Sequence, residues 1–206
     1  MSDDPPRIVV TGLGDSITAG NPGWDPDPAK RLLEDPGDDE RSQYLYWAAL
    51  NDPRIDFRNH GVGGERTDEI RARLDAVVEG TDVLIVQGGI NDVVQGRAIE
   101  QAAADIEAMI QQGRSLGLPV LLPDVLPWNK GWPDAEPKIR ALNERIHEIG
   151  SRLGDVTILP FHATLEDEQR PGRMRQEWTD DGNHPSVEGH RRLGELAFRL
   201  PKRFGF

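Results

Sequence analysis

Short apolar stretches alternate with longer amphipathic stretches along this chain, and this alternation limits the folds that it can adopt. The clearest apolar stretch is Val83-Leu84-Ile85-Val86, inside a predicted strand over 81–87. An unbroken apolar run of this kind is typical of a strand covered on both faces of a sheet. Further strands are predicted over 7–13, 54–59, 118–124 and 156–159. Strands that alternate with helices, without repeats, predict one α/β domain over residues 1–206 with a mostly parallel sheet of about five strands.

The segments between the strands have helical periodicity. The segment after Thr67, a candidate N-cap, repeats apolar residues one helical turn apart, and its helix is expected to end at Gly80. Other helices are predicted over about 43–51, 97–116, 135–153 and 186–199. In parallel α/β sheets the ligand crevice lies outside the carboxyl ends of the strands, so residues that follow different strands can meet there.

The charge balance and the residue usage exclude several kinds of partner and site. The chain has 24 Lys and Arg against 36 Asp and Glu, a formal net charge of −12, so its average surface would repel a polyanion such as nucleic acid. The lack of cysteine excludes disulfides, thiolate catalysis and cysteine-ligated metal centres. Neither a signal-peptide pattern nor a membrane-spanning run is visible, so no membrane span and a cytoplasmic location are expected.

The stretch Gly14-Asp15-Ser16-Ile17-Thr18 follows the first predicted strand. A small serine between a flexible glycine and a polar loop is where a nucleophile can be displayed at the carboxyl end of a strand. The same residue types are common in ordinary turns, so these five residues alone leave both interpretations open.

A second polar stretch, Asp181-Gly182-Asn183-His184-Pro185, precedes the last predicted helix. The intervening glycine allows the turn to fold back and bring the carboxylate of Asp181 to the imidazole of His184. A carboxylate on one ring nitrogen fixes the tautomer and leaves the other nitrogen free to accept a proton from a serine hydroxyl. Taken alone, this stretch is also compatible with a surface turn.

Four stretches in order resemble the sequence blocks of the SGNH hydrolases, also called the GDSL esterase and lipase family. They are Gly14-Asp15-Ser16, the glycine loop that ends at Gly64, Gly89-Ile90-Asn91-Asp92, and Asp181-Gly182-Asn183-His184-Pro185. They extend from the first predicted strand to the last predicted helix, so the resemblance covers essentially the whole domain. It implies a three-layer α/β/α fold of the SGNH, flavodoxin-like type, and hydrolysis of ester bonds that requires no metal or cofactor.

The resemblance also implies a role for each matching residue. Ser16 would be the nucleophile, His184 the general base and acid, and Asp181 the carboxylate that orients the imidazole. The backbone N–H groups of Ser16 and Gly64, together with the side-chain amide of Asn91, would form the oxyanion hole.

The glycine loop Gly61-Val62-Gly63-Gly64 offers three glycines for one role. Gly64 best matches the family glycine, because it stands just before an acidic residue at the start of a helix. The sequence departs from the common family pattern at Glu65-Arg66, where Asp-Thr is frequent. We expect this departure to affect the helix start more than the oxyanion hole.

Two loops are expected to border the site. Residues 21–41 are interpreted as a rim or lid segment, and a second rim loop is predicted over 126–133. Trp24, Trp128 and Trp132 lie in these loops and would form an acyl pocket, stack on sugar rings or anchor the loops. The favoured function is hydrolysis of small carboxylic esters with short acyl groups through an acyl-serine. The alternatives are a carbohydrate O-acetylesterase, a lysophospholipase or thioesterase and, from another class, a non-catalytic glycan- or ester-binding module.

The acidic run Glu166-Asp167-Glu168 lies between the last predicted strand and the last predicted helix. A contiguous run of this kind is more typical of a solvated face than of a metal site. His162 stands nearby and is interpreted as packed beside Phe161. The sequence therefore predicts no metal site.

Overall fold

Five parallel strands form the centre of the protein, whose computed structural model describes residues 6–23 and 39–204. They are β1 (Ile8–Gly14), β2 (Ile55–Gly61), β3 (Val83–Val86), β4 (Val120–Pro123) and β5 (Thr157–Leu159). Their order in the sheet is β2-β1-β3-β4-β5, and every neighbouring pair is parallel. The predicted α/β architecture with a five-stranded, mostly parallel sheet is confirmed.

Helices cover both faces of this sheet and follow the ends of its strands. They are α1 (Ser16–Ala19), α2 (Tyr44–Asn51), α3 (Thr67–Ala72), α4 (Leu74–Val77), α5 (Ile90–Val94), α6 (Ile99–Ser115), α7 (Glu136–Leu153), α8 (Phe161–Leu165) and α9 (Val187–Arg192), the last of which continues into a π-helical turn over Leu193–Ala197. A two-stranded antiparallel hairpin, β6 (Glu166–Asp167) with β7 (Arg170–Met174), follows α8 and was not predicted.

The central strand β3 shows why its sequence is apolar without interruption. All four of its side chains are fully buried, and they alternate between the two faces of the sheet. Val83 and Ile85 belong to the apolar cluster that includes residues of α2, of α8 and of the π-helical turn after α9. Leu84 and Val86 belong to the cluster that includes residues of α3, α6 and α7. Both faces of the strand are therefore covered, as the sequence predicted.

Thr67 does not cap the helix that it was expected to cap. It is the first residue of α3, and its backbone N–H and hydroxyl both donate to the buried carboxylate of Asp92, at 3.0 and 2.9 Å. Arg66 occupies the N-cap position instead, and its backbone N–H donates to Glu69. The prediction was wrong because a distant carboxylate satisfies the first turn of the helix.

The acidic run beside the hairpin is also not a solvated face throughout. Asp167 is only 5% exposed. Its carboxylate accepts hydrogen bonds from the backbone N–H of Gln169 and from Arg170, at 2.9 and 2.7 Å, and these compensate for its burial. The local turn thus satisfies the carboxylate that the sequence placed in solvent.

The rim or lid segment was predicted over 21–41. Most of it, residues 24–38 and therefore also Trp24, lies outside the described residues. The backbone N–H of Asp39 donates to the carbonyl of Gly23 at 2.9 Å, so the two ends of that segment are adjacent. In the described parts of the chain, no helix combines the length and the apolar character that crossing a membrane requires.

Candidate active site

Ser16 lies at the carboxyl end of β1, as the first residue of α1. Asp15 is the N-cap of this short helix, and its carboxylate accepts a hydrogen bond from the backbone N–H of Ile17 at 2.9 Å. Gly14 leaves no room for a side chain, since a Cβ atom there would collide with Thr18 and Gln87. The Gly-Asp-Ser sequence therefore makes a tight strand-to-helix turn that presents the serine at the edge of the sheet.

Gln87 supports this turn from the end of the neighbouring strand β3. Its side-chain oxygen accepts hydrogen bonds from the backbone N–H groups of Asp15 and Thr18, both at 3.2 Å, and from the hydroxyl of Thr18 at 2.7 Å. Gln87 is buried. Sequence reasoning did not identify this residue, although a polar side chain at the end of the most buried strand was a usable signal.

Three predicted residues come together in one line of hydrogen bonds. The Oγ atom of Ser16 lies 3.0 Å from Nε2 of His184, and Nδ1 of His184 lies 2.8 Å from Oδ2 of Asp181. An ionised carboxylate can only accept, so the imidazole donates from Nδ1, and Nε2 is left to accept from the serine hydroxyl. This is the arrangement that general-base activation of a serine requires.

The turn from Asp181 to His184 holds this carboxylate in its ionised form. Its Oδ1 atom accepts from the backbone N–H groups of Asn183 and His184, at 2.8 and 2.7 Å. Partial burial acts to raise the pKa of Asp181, but these hydrogen bonds and the one from the imidazole outweigh it and hold the pKa below its usual value. Gly182 has a φ of +72°, which lets the turn fold back as predicted.

The glycine loop lies beside the first turn of α5, which tethers it. The side-chain amide of Asn91 donates to the carbonyl of Glu65 at 2.9 Å, and that of Gln95 donates to the carbonyl of Gly64 at 3.0 Å. The backbone N–H groups of Gly64 and Ser16 have no acceptor among the described residues. One amide hydrogen of Asn91 and these two backbone donors are therefore available to a ligand.

The three glycines of the loop occupy different environments. A Cβ atom on Gly61 would overlap the backbone of Ala19, so this glycine is required for close packing. Gly63 faces the serine, since a Cβ atom there would lie 4.0 Å from Cβ of Ser16. Gly64 has a φ of +84°, which few other residues adopt. The role predicted for Gly64 stays a prediction.

Glu65 and Arg73 form a brace that sequence reasoning missed. The guanidinium of Arg73 donates to the Glu65 carboxylate at 2.6 Å and also to the backbone carbonyls of His60 and Gly14, at 3.1 and 3.2 Å. It therefore joins the glycine loop to the strand that ends at the serine turn. The departure from the family pattern at Glu65 supplies this ion pair, and the helix begins two residues later, at Thr67.

A small, mostly apolar cavity lies next to the serine and histidine turns. Ile17, which follows Ser16, and Asn183, which precedes His184, both line it. Its volume is about 10 Å³, which admits the centre of about one water molecule. The residues that line it are Ile17, Gln87, Ile90, Asp124, Val125, Leu126, Pro127, Trp128, Phe161 and Asn183. Among the predicted rim tryptophans, Trp128 belongs to this wall.

The rim segment that carries Trp128 is fastened to the histidine turn. The backbone N–H of Lys130 donates to the carbonyl of Gly182 at 3.1 Å. The side chain of Asn129 bonds both the N–H and the carbonyl of Met174, at 2.7 and 2.9 Å. Trp132 remains 41% exposed, with the guanidinium of Arg173 lying 4.3 Å from the centre of its ring.

Asp15 is the other ionisable group beside the serine. It is fully buried, and that burial raises the pKa of its carboxyl to about 7, although the hydrogen bond from Ile17 acts to lower it. Its Oδ2 atom has no hydrogen-bond partner among the described residues. The turn therefore holds a carboxyl that is protonated over a much wider pH range than usual.

Residues 13–192 match the model of the GDSL-like Lipase/Acylhydrolase family. A search of curated protein sequences finds no significant match. Among solved structures, a G-D-S-L family protein from Desulfitobacterium hafniense DCB-2 superimposes with a TM-score of 0.76 at 21% identity, over 92% of this chain and 97% of the other.

Two further structures have the same fold at lower similarity. A GDSL-like lipase from Bacteroides thetaiotaomicron VPI-5482 gives a TM-score of 0.70 at 19% identity, over 91% of this chain and 84% of that one. AlinE4, an SGNH-hydrolase family esterase, gives a TM-score of 0.58 at 19% identity, over 77% and 78% of the two chains. The family model matches most of the chain, and the structures share its fold. The chain therefore belongs to the GDSL-like lipase/acylhydrolase family of hydrolases.

Proposed function

We propose that this hydrolase is a serine esterase that cleaves small carboxylic esters with short acyl groups through an acyl-serine intermediate. The observation that carries the proposal is the unbroken line of hydrogen bonds from Ser16 through His184 to Asp181. The serine is only 7% exposed, so the hydroxyl has a fixed position from which to attack.

In the first half of the reaction, Oγ of Ser16 attacks the ester carbonyl carbon while Nε2 of His184 takes the hydroxyl proton. The tetrahedral intermediate collapses as the bond to the alcohol oxygen breaks, and the imidazolium gives its proton to that oxygen. In the second half, His184 takes a proton from water as the water oxygen attacks the carbonyl carbon of the acyl-serine. The bond from that carbon to Oγ of Ser16 then breaks, the imidazolium returns its proton to Oγ, and the carboxylic acid is released. Asp181 stays ionised throughout and stabilises each imidazolium.

The negative charge on the carbonyl oxygen is assigned to three donors. They are the backbone N–H groups of Ser16 and Gly64 and the free amide hydrogen of Asn91. The tethers from α5 to the glycine loop support this assignment, because they preorganise the donors before substrate binds. Little reorganisation would then be needed when the charge develops.

The preference for short acyl groups rests on the apolar cavity beside the serine. Most of the residues in its wall are aliphatic or aromatic, which suits an acyl chain, and its volume of about 10 Å³ suits a methyl or ethyl group more than a long chain. The walls that limit its depth include Trp128, whose ring lies against Gly131.

A second candidate function, removal of an O-acetyl group from a sugar, is favoured by the half-exposed Trp132. This indole lies on the rim segment that is bonded to the histidine turn, and aromatic rings at such positions can stack on sugar rings. An acetyl group would use the same small cavity, so the two candidates differ only in the alcohol part of the substrate.

A serine-reactive fluorophosphonate tests the chemistry directly. Labelled protein should gain one adduct, located at Ser16 by peptide mass mapping, and Ser16→Ala should remain unlabelled. Ser115→Ala is the matched control, because Ser115 lies on the exposed end of α6 and its loss should leave labelling unchanged. A correctly folded wild-type protein without an adduct on Ser16 would refute the hydrolase mechanism.

A substrate panel then tests the acyl and alcohol preferences. We expect kcat/KM for p-nitrophenyl esters to be highest for acetate to butyrate and to fall steadily toward laurate. Acetylated sugars in the same panel separate the two candidates, since a rate above that of the simple acetate would favour the sugar substrate. A preference for long acyl chains would overturn the assignment of the cavity.

A further inference from the structure

Three side chains that can bind a metal ion converge outside the active site. Glu136 begins α7, His162 lies in α8, and Glu166 begins β6. One ligand-capable atom from each lies within 4.8 Å of the others, and Nδ1 of His162 is 3.9 Å from a carboxylate oxygen of Glu166. The proposed ester chemistry uses none of these three groups.

Two of these side chains have buried polar atoms that form no hydrogen bond with the described chain. Oε2 of Glu136 and Nε2 of His162 are shielded from solvent and have no hydrogen-bond partner among the described residues, whereas Oε1 of Glu136 forms an ion pair with Arg140. The residue His162 as a whole is 9% exposed. Since desolvating such atoms is costly, their convergence indicates that a ligand compensates for it.

The hairpin that follows α8 shapes the same site. Gly172 has a φ of +81°, which favours glycine, and the carboxylate of Glu136 packs against it, with the carboxyl carbon 2.5 Å from where a Cβ atom would stand. The backbone N–H of Gly172 also donates to Glu166 at 2.6 Å, which fixes the second carboxylate while leaving its other oxygen toward His162. The two glutamates are thus positioned by one turn.

Arg140 is the cation that now neighbours the cluster. Its Nε atom is 2.5 Å from Glu136, and its second terminal nitrogen is 3.5 Å from Glu166. The side chain of Arg140 is 53% exposed, so its ion pairs contribute little and it can move into solvent. One guanidinium also balances only one of the two carboxylates, which leaves the cluster attractive to a divalent ion.

We propose that Glu136, His162 and Glu166 form a binding site for a divalent transition-metal ion of the Zn²⁺ type. Two carboxylates and one imidazole suit such an ion, whereas Mg²⁺ prefers oxygen ligands alone. An ion about 2.1 Å from each donor holds the donors roughly 3.4 Å apart, so the glutamate side chains close in by about 1 Å when it binds.

The site would stabilise the fold and not take part in the ester chemistry. It joins the start of α7 to two consecutive elements that come later in the chain, α8 and the hairpin. The backbone N–H of His162 donates to Asp124 at 2.7 Å, and Asp124 lines the cavity beside the serine. A bound ion would therefore hold one wall of that cavity in place.

Calorimetric titration of tag-free, chelator-treated protein with ZnCl₂ tests the proposal. We expect one Zn²⁺ ion per chain and a rise in Tm of about 5–10 °C when the free ion is at 100 times its Kd, with no rise for MgCl₂. The variants His162→Gln and Glu136→Gln should each weaken binding at least tenfold. Arg140→Met should strengthen it, because the competing cation is removed, and this variant keeps every proposed ligand.

Two histidine variants serve as matched controls. His147→Gln changes a half-exposed imidazole of α7 that lies 3.0 Å from the Asp124 carboxylate, and His184→Gln removes the imidazole that lies 2.8 Å from the Asp181 carboxylate. Both should retain one Zn²⁺ ion with unchanged affinity. Absence of binding to the wild type, full binding by His162→Gln, or a loss caused by either control would overturn the proposal.

Discussion

Replacing Asn91 with alanine is expected to lower kcat by 10²- to 10³-fold while KM changes little. One amide hydrogen of Asn91 donates to Glu65, and the second is the proposed donor to the oxyanion. Loss of one such donor costs about 3–4 kcal/mol in the transition state, which corresponds to the stated fall in rate. Loss of the tether to Glu65 should cost only about 1 kcal/mol of folding stability. Steady-state kinetics with p-nitrophenyl acetate and urea unfolding measure the two effects separately.

Gln95→Ala is the matched control for this variant. Gln95 is the C-cap of α5, one turn after Asn91, and its side-chain amide donates to the neighbouring carbonyl of Gly64 at 3.0 Å. It has no proposed contact with the substrate, so its loss should change kcat less than tenfold. If Asn91 acted only as a tether, the two variants would have similar kinetics. Equal, small reductions in kcat would therefore refute the oxyanion assignment.

Three further predictions follow from contacts of the same site. Asp181→Asn should fold normally, because the new side chain still accepts the hydrogen bonds of the turn. Its kcat should fall by roughly 10³- to 10⁴-fold, since the carboxylate that orients the imidazole is lost. A near-normal kcat would remove Asp181 from the mechanism. The folded state keeps the Asp15 proton up to about pH 7, whereas the unfolded chain releases it near pH 3.8. The free energy of unfolding should therefore decrease between pH 4 and pH 7, by up to about 1.4 kcal/mol per pH unit relative to Asp15→Asn. Urea titrations measure this, and equal pH slopes for the two proteins would contradict the prediction. Ile90→Ala should move the optimum in the panel of p-nitrophenyl esters to acyl chains longer by one or two carbons. Val94→Ala changes the exposed side of the same helix and should leave the optimum unchanged. Identical profiles for both variants would show that Ile90 does not limit the cavity.

The sheet was the part of the fold that the sequence determined best. Each predicted strand is present, with ends shifted by at most two residues. For the central strand β3, burial on both faces imposes an unbroken apolar pattern that few other elements produce. The hairpin β6–β7 was not predicted. Its residues, such as Arg170 and Gly172, lack strand periodicity, and it is held by local turns and by contacts with distant segments.

The candidate site was predictable to the extent that its residues carry their chemistry in their own side chains. Ser16, His184 and Asp181 are of this kind, and the structure brings them within hydrogen-bond distance of one another. Gln87 and Arg73 were missed because their importance comes from which backbone atoms they reach, and those partners lie far away in sequence. Such supporting contacts become visible only once the strands are placed side by side.

The bond from Lys130 to Gly182 joins two parts of the site that are usually considered separately. The segment that begins at Val125 walls the proposed acyl cavity, and three residues after Pro127 it is tied to the turn that carries His184. A change that enlarges the cavity by moving this segment would also displace His184, the proposed base. Selection for longer acyl groups would therefore lower kcat unless a second substitution restored the position of the turn. Acyl preference and catalytic rate are thus expected to evolve together in this enzyme.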